Sequence, residues 1–369
     1  MKNPDNYSTK PKAADEIDRA MRSDGSSENG VVFHDVRKPP FRIYGLYNPE
    51  SEQDFKRLPD DVAKNTNSGV ASLYLNTAGG RVRFCTNSKT ICIKAEMPIM
   101  GKMSHFALSG SCGFDLYIDE KNGDTHFSRV FKPPFHAEGG FEASATFETK
   151  KKRYFTLNFP TYSNIRNLYI GLDEGAFLGD GKKYLPVAPI VYYGSSITQG
   201  GCASRPGNTY ESIVSQRMNI DHINLGFSGS GRGEDAISDY IASLEMSAFV
   251  MDYDHNSPSP EHLAETHHKM YLKVRMANKN IPIIMMSKSD FNSGYCMNIK
   301  RRNVIYSSYM QAINEGDRNV FFIDGESVFR GPYENICTVD GNHPNDMGFA
   351  LMADAVEATL KKAFRQEQG

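Results

Sequence analysis

Two textures of apolar and polar positions divide the chain near residue 185. Upstream, from about residue 31, apolar residues come in short runs, many alternating with polar ones. They are Ser72-Leu73-Tyr74-Leu75, Arg81-Val82-Arg83-Phe84-Cys85, Thr90–Ala95, Gly113–Ile118, Ala143–Phe147 and Tyr154–Phe159. A period of two puts every second side chain on one face of a strand, so each run predicts a half-buried strand. Gly79-Gly80, Asn122-Gly123 and Gly139-Gly140 punctuate the runs. Lys121-Asn122-Gly123-Asp124 reads as a tight hairpin turn, because Asn-Gly accepts the positive φ values it needs. Many short strands with such turns predict a β-sandwich, jelly-roll-like domain over residues 31–185. Residues 1–30 are polar and read as an arm with one short helix around Ala13–Met21.

Beyond residue 186 the apolar runs become continuous. Pro189–Tyr193, Asp221–Leu225, Ala248–Tyr253, Ile281–Met286 and Val320–Ile323 read as strands. A strand without alternation is covered on both faces, as in a parallel sheet. Helical spacing fills the intervals at Thr209–Met218, Glu234–Leu244, Pro260–Ala277 and Arg302–Glu315. A last helix is predicted over Asn345–Phe364, with Phe349, Leu351, Met352, Ala355, Val356 and Leu360 at its apolar positions. Residues 186–369 therefore predict an α/β domain with a parallel sheet.

Composition narrows the function classes. With 42 basic and 44 acidic residues in 369, the net charge of −2 leaves no electrostatic footprint for nucleic acid or an anionic membrane. No apolar run is long enough to span a bilayer, and Met1–Asn6 carries no apolar signal region. The six cysteines are scattered without a CxxC pair, which favours reduced thiols and a cytoplasmic protein. No metal or cofactor site is expected. His267-His268 sits among Glu261, His262 and Glu265, and adjacent histidines point to different helix sides, so a solvated face is the expectation. Gly229-Ser230-Gly231-Arg232-Gly233 lacks the Lys-Ser/Thr of a phosphate loop.

Four clusters carry chemistry: Gly194-Ser195-Ser196-Ile197-Thr198, Asn224–Gly229, Asp252–Asn256 and Asp340-Gly341-Asn342-His343. Three fall at the predicted carboxyl ends of strands, where an open α/β sheet presents its reactive groups. A serine hydroxyl is a poor nucleophile until a base takes its proton, and His343 is such a base. Asp340 can hold the imidazole in the required tautomer. The N–H groups of Ser196 and Gly229, with the Asn256 amide, can donate to an oxyanion. Blander roles remain open beside these: a turn residue or helix cap for Ser196, a turn for Gly229, an Asx turn for Asn256, a cap on the turn into the last helix for Asp340, an ordinary loop for His343. Arg205, Asn208 and Tyr210, which follow the serine, are candidate substrate-binding residues, with a structural ion pair as the other reading of Arg205.

These ordered blocks resemble the SGNH (GDSL-type) hydrolase superfamily. Its serine, glycine, asparagine and histidine blocks match Ser196, Gly229, Asn256 and His343, and Asp340 matches its Asp-x-x-His aspartate. The resemblance covers roughly residues 186–365. It implies a three-layer α/β/α domain and ester hydrolysis without a metal. The β-sandwich in front is similar to the arrangement in carbohydrate acetylesterases, which implies an acetylated oligosaccharide or other small ester as substrate. With no tryptophan in the chain, stacking on a sugar would fall to its 19 tyrosines and 22 phenylalanines. Two positions depart from the pattern: Ser195 stands where the family has Asp, and Asp254-His255-Asn256-Ser257 replaces Gly-x-Asn-Asp. The same machinery fits an acyltransferase, and a catalytically inactive glycan-binding protein is the alternative from another class.

Overall fold

The computed structural model describes residues 14–18, 30–120 and 123–366. Most of the predicted arm lies outside the described residues, as do Lys121 and Asn122 of the expected hairpin turn; Ala14–Ile17 forms one helical turn.

Two antiparallel sheets make up the first domain. One runs β1 (Val31–Asp35), β9 (Asn167–Asp173), β4 (Thr90–Glu96), β7 (Gly140–Thr146). The other runs β10 (Leu178–Asp180), β3 (Arg81–Thr86), β8 (Arg153–Asn158), β5 (Phe114–Asp119), β6 (Thr125–Phe131), with β2 (Arg42–Tyr44) also on β3. Alternate side chains of both sheets meet in one core. Ile91, Ile93, Leu168 and Ile170 come from the first sheet, and Val82, Phe84, Leu116, Phe155 and Leu157 from the second. That is the period-two pattern turned into packing.

The second domain holds a five-stranded parallel sheet in the order β12 (His222–Gly226), β11 (Ile190–Gly194), β13 (Ala248–Asp252), β14 (Ile283–Met286), β15 (Val320–Ile323). Successive residues serve opposite faces. Val191, Tyr193, Phe249, Met251, Ile283 and Met285 pack under helices 235–243, 260–277 and 295–314. Ile190, Tyr192, Val250, Ile284 and Met286 pack under helices 210–218 and 346–366.

Several elements differ from the sequence expectation. Ser72-Leu73-Tyr74-Leu75 is no strand. Residues Ser68–Leu73 are helical, started by Asn67, whose side chain accepts from the Val70 N–H. That helix and its neighbour Asp60–Thr66 leave the sandwich. Leu58, Ala63 and Val70 sit in the core of the α/β domain with Val191 and Leu225. The sequence division at 185 thus marks the end of the sandwich, but residues 58–73 pack with the second domain. The helix predicted at Arg302 starts earlier, at Tyr295. His267 is not on a solvated face: it is buried against the Tyr253 ring, and burial pushes its pKa down to about 4.

Candidate active site

β11 ends at Gly194, where a side chain has no room. A Cβ there would fall 2.3 Å from the Asp252 carbonyl and on top of the Thr198 hydroxyl. The chain then folds back in tight turns, with Gln199 N–H on Ser195 O and Gly201 N–H on Ser196 O. Ser196 heads this turn, 8% exposed. Its carbonyl also accepts from the Tyr162 hydroxyl at 3.1 Å, a contact from the sandwich domain.

His343 arrives on a small hairpin closed by Val339 N–H on His343 O and Asn345 N–H on Cys337 O. Its Nε2 lies 3.0 Å from Ser196 Oγ, and its Nδ1 lies 2.8 Å from Asp340 Oδ2. Asp340 Oδ1 accepts the N–H groups of Asn342 and His343, at 3.0 and 2.8 Å. Partial burial works to raise the Asp340 pKa, but these hydrogen bonds and the imidazole outweigh it and hold it down at about 2. Through these two N–H groups Asp340 also caps the turn into the last helix, whose own first turn is capped by Asn345, accepting from Met347 and Gly348 N–H.

The other two blocks converge from neighbouring strands. Gly229 sits in the loop after β12 with φ +66°, the left-handed region that glycine enters without a steric penalty. Asn256 ends a short turn after β13, and its Nδ2 donates 2.9 Å to Phe227 O. That bond uses one amide hydrogen and leaves the second. Among the described residues, no protein acceptor takes the backbone N–H of Ser196 or Gly229. The structure therefore brings Ser196, His343, Asp340, Gly229 and Asn256 to one edge of the sheet.

The three residues proposed to bind substrate are placed elsewhere. Arg205 turns to the sandwich: its Nε is 3.4 Å from Asp115 Oδ2, and its guanidinium stacks 3.8 Å over Phe127. The structural ion pair is the arrangement found. Tyr210 is fully buried with its hydroxyl on Asp252 Oδ2, so it lies in the core rather than in a cleft. Asn208 Nδ2 donates to Ser204 Oγ, which in turn donates to Asp346. Both contacts brace the serine loop against the last helix. Cys202, beside the serine, is no second nucleophile, since burial and the Asp340 charge push its thiol up to about 11.

Other site-forming residues carry no local signal in the sequence. Arg57 is buried and donates to the carbonyls of Asn224, Gly226 and Leu73, pinning the end of β12 from which the Gly229 loop springs. Burial lowers its pKa to about 9, which leaves it a cation at neutral pH. Gln199 donates to Asn76 Oδ1 and Thr161 O and accepts from Ser228 N–H, tying both domains to the serine and glycine loops. His105, from the sandwich, places its ring 5.8 Å from that of His343.

Two protein families match the chain, one over each domain. Residues 187–361 match the GDSL-like lipase/acylhydrolase family, and residues 31–178 match the N-terminal family of SGNH-hydrolase-type esterases. The Gly-x-Asp-Leu-Tyr signature that the second family is called after stands here as Gly113–Tyr117. Asp115, its buried carboxylate, accepts from Gly207 N–H and Asn158 and faces Arg205, so the signature clamps the two domains together. No curated protein sequence matches the chain. Among solved structures, a chain described as a GDSL-like lipase from Bacteroides ovatus is 26% identical with a TM-score of 0.81, over 91% of this chain and 98% of that one. A salicylyl-acyltransferase from a tetracycline biosynthetic pathway shares the fold at 18% identity and TM-score 0.73, over 91% and 98%. So does a family two carbohydrate esterase from Clostridium thermocellum, at 12% and 0.61, over 88% and 99%. With both domains matched and the serine, glycine, asparagine and histidine blocks gathered at one sheet edge, the chain belongs to the SGNH (GDSL-like) hydrolase superfamily.

Proposed function

We propose that this protein is a serine esterase that removes acetyl groups from a carbohydrate through an acyl-enzyme. The observation that carries the reading is the continuous relay Ser196 Oγ, His343, Asp340, at 3.0 and 2.8 Å, beside two N–H groups without protein acceptors. Ser196 Oγ attacks the ester carbonyl carbon while His343 Nε2 takes its proton. The oxyanion is held by Ser196 N–H, Gly229 N–H and the free hydrogen of the Asn256 amide. The bond to the sugar oxygen breaks, and the proton on Nε2 goes to that oxygen. Water then attacks the acyl-enzyme, giving up its proton to His343. Acetate leaves as Ser196 recovers a proton from Nε2. Asp340 stays ionised throughout and stabilises the imidazolium.

The carbohydrate part of the reading draws support from the family two carbohydrate esterase among the neighbours. The six unbridged cysteines support a reducing, cytoplasmic setting, which suits a short imported oligosaccharide. The salicylyl-acyltransferase neighbour favours a second reading, transfer of the acyl group to an alcohol other than water.

The test is acetate release from acetylated oligosaccharides and from 4-nitrophenyl acetate. Wild type should release acetate, and Ser196→Ala should lower kcat by about 10⁶-fold. Equal rates in the two proteins would remove Ser196 as nucleophile. Adding an alcohol acceptor separates the two readings: a transferase forms new ester faster than acetate.

A further inference from the structure

The relay at His343 has a neighbour that ester hydrolysis does not use. Cys202 Sγ, a ring nitrogen of His105 and a ring nitrogen of His343 lie within 4.8 Å of one another. The three come from three separate segments: His105 from the sandwich, Cys202 from the loop behind the nucleophile, His343 from the hairpin before the last helix. Cys202 is held with φ +74°, one of three non-glycine residues in the left-handed region among the described residues. A side chain kept there against its own preference marks a position the surrounding structure dictates.

We propose that His105, Cys202 and His343 form an inhibitory site for a thiophilic divalent cation, with Zn²⁺ as the fitting ion. Two imidazoles and one thiolate are a donor set suited to zinc, leaving a fourth position for water or Ser196 Oγ. Zinc bond lengths put tetrahedral ligand atoms about 3.4–3.6 Å apart. The present spacing exceeds that by at most about 1.4 Å, and the exposed His105 ring is the part free to swing. Asp340 completes the arrangement. A metal-bound histidine characteristically donates its other N–H to a carboxylate, and His343 Nδ1 already lies 2.8 Å from Asp340 Oδ2. One Asp-His pair thus serves two masters. With Nε2 free, the imidazole takes the serine's proton; with Nε2 on the ion, its lone pair is occupied and the 3.0 Å contact to Ser196 is lost. Binding stands on the ligand geometry alone, whereas the loss of activity rests on the esterase reading.

The experiment uses the full chain, stripped with chelator, in a Cys296→Ser background that removes the exposed thiol. Cd²⁺ binding is read from the thiolate-to-cadmium ultraviolet band, and Zn²⁺ inhibition from 4-nitrophenyl acetate hydrolysis relative to each variant's own metal-free rate. Expected are one Cd²⁺ per chain and inhibition by Zn²⁺ that chelator reverses. Both affinities should weaken at least about tenfold in His105→Ala, and the cadmium band should vanish in Cys202→Ser. Circular dichroism checks that each variant is folded; His105, being exposed, keeps the test decisive if Cys202→Ser is not. Absence of a one-to-one cadmium band, inhibition of equal strength in His105→Ala, or a rate increase with Zn²⁺ each overturns the site. If no ester is hydrolysed at all, the esterase reading fails, and the cadmium titration still decides the metal site.

Discussion

Asp340 uses its two carboxylate oxygens for two tasks: Oδ1 shapes the turn by accepting two backbone N–H groups, and Oδ2 orients the imidazole. Asn at this position keeps a carbonyl for the turn but offers an amide where Nδ1–H needs an acceptor. Asp340→Asn should therefore lower kcat by about 10²–10⁴-fold while leaving the unfolding midpoint nearly unchanged. A parallel loss of stability would mean that Asp340 acts only through the turn. Because its pKa is held at about 2, its share of stability is present above the ordinary carboxylate value and is lost only as pH falls towards 2. Ser196, Gly229, Asn256 and His343 were legible as residues because each sits in a short block with a distinctive neighbourhood. Arg205, Asn208 and Tyr210 sit close to Ser196 in sequence as well, but closeness along a chain does not say which way a side chain turns. Arg205 found a buried carboxylate some ninety positions upstream at Asp115.

The elements that frame the site depend on buried polar groups. Arg57 holds three carbonyls, two of them at the end of β12. Arg57→Met would take a charged donor from all three carbonyls, of which Leu73 O keeps the Asn76 N–H, at a cost on the order of 3 kcal/mol. The Gly229 loop should loosen with it, so kcat should fall as well as the urea midpoint; a stability loss with unchanged kcat would separate Arg57 from the site. Asp252 at the end of β13 and Glu211 on helix 210–218 are both fully buried. Burial raises the pKa of each well above its ordinary value, and Asp252 is raised further by Asp254. Each therefore holds its proton more tightly in the fold than in the unfolded chain. Their contribution is full below the unfolded-state pKa and is lost as pH rises towards the folded value. The urea midpoint should accordingly decline as pH rises above the ordinary carboxylate range, and Glu211→Gln should flatten that decline. Parallel slopes would show that Glu211 is not protonated in the fold. The long helices and continuous strands were readable because their periodicity spans many residues. Ser72–Leu75 was misread because four residues fit either period, and the Asn67 cap that decides for helix lies outside the run.

At the scale of the whole molecule the two domains are one folding problem. Leu58 and Val70 fill the core of the α/β domain, and burying such a side chain contributes about 1.5–3 kcal/mol. Domains of this kind hold only about 5–15 kcal/mol in total. A fragment of residues 186–369 should therefore show no cooperative thermal transition by circular dichroism, although it contains Ser196, Asp340 and His343. A cooperative, active fragment would show that the sandwich only walls the site. From the sequence alone came the split into a β-rich half and an α/β half, the strand ends at which the candidate residues gather, and the serine, histidine and aspartate proposed for the relay. All of these are local: a period, a glycine, a spacing of three residues. The tertiary structure alone decided that Arg57, Tyr162, Gln199 and His105 reach the site, that Arg205 and Tyr210 do not, and that Gly113–Tyr117 clamps the domains. Those contacts join residues far apart in the chain, and their energy comes from satisfying buried donors and acceptors against partners that no stretch of sequence contains.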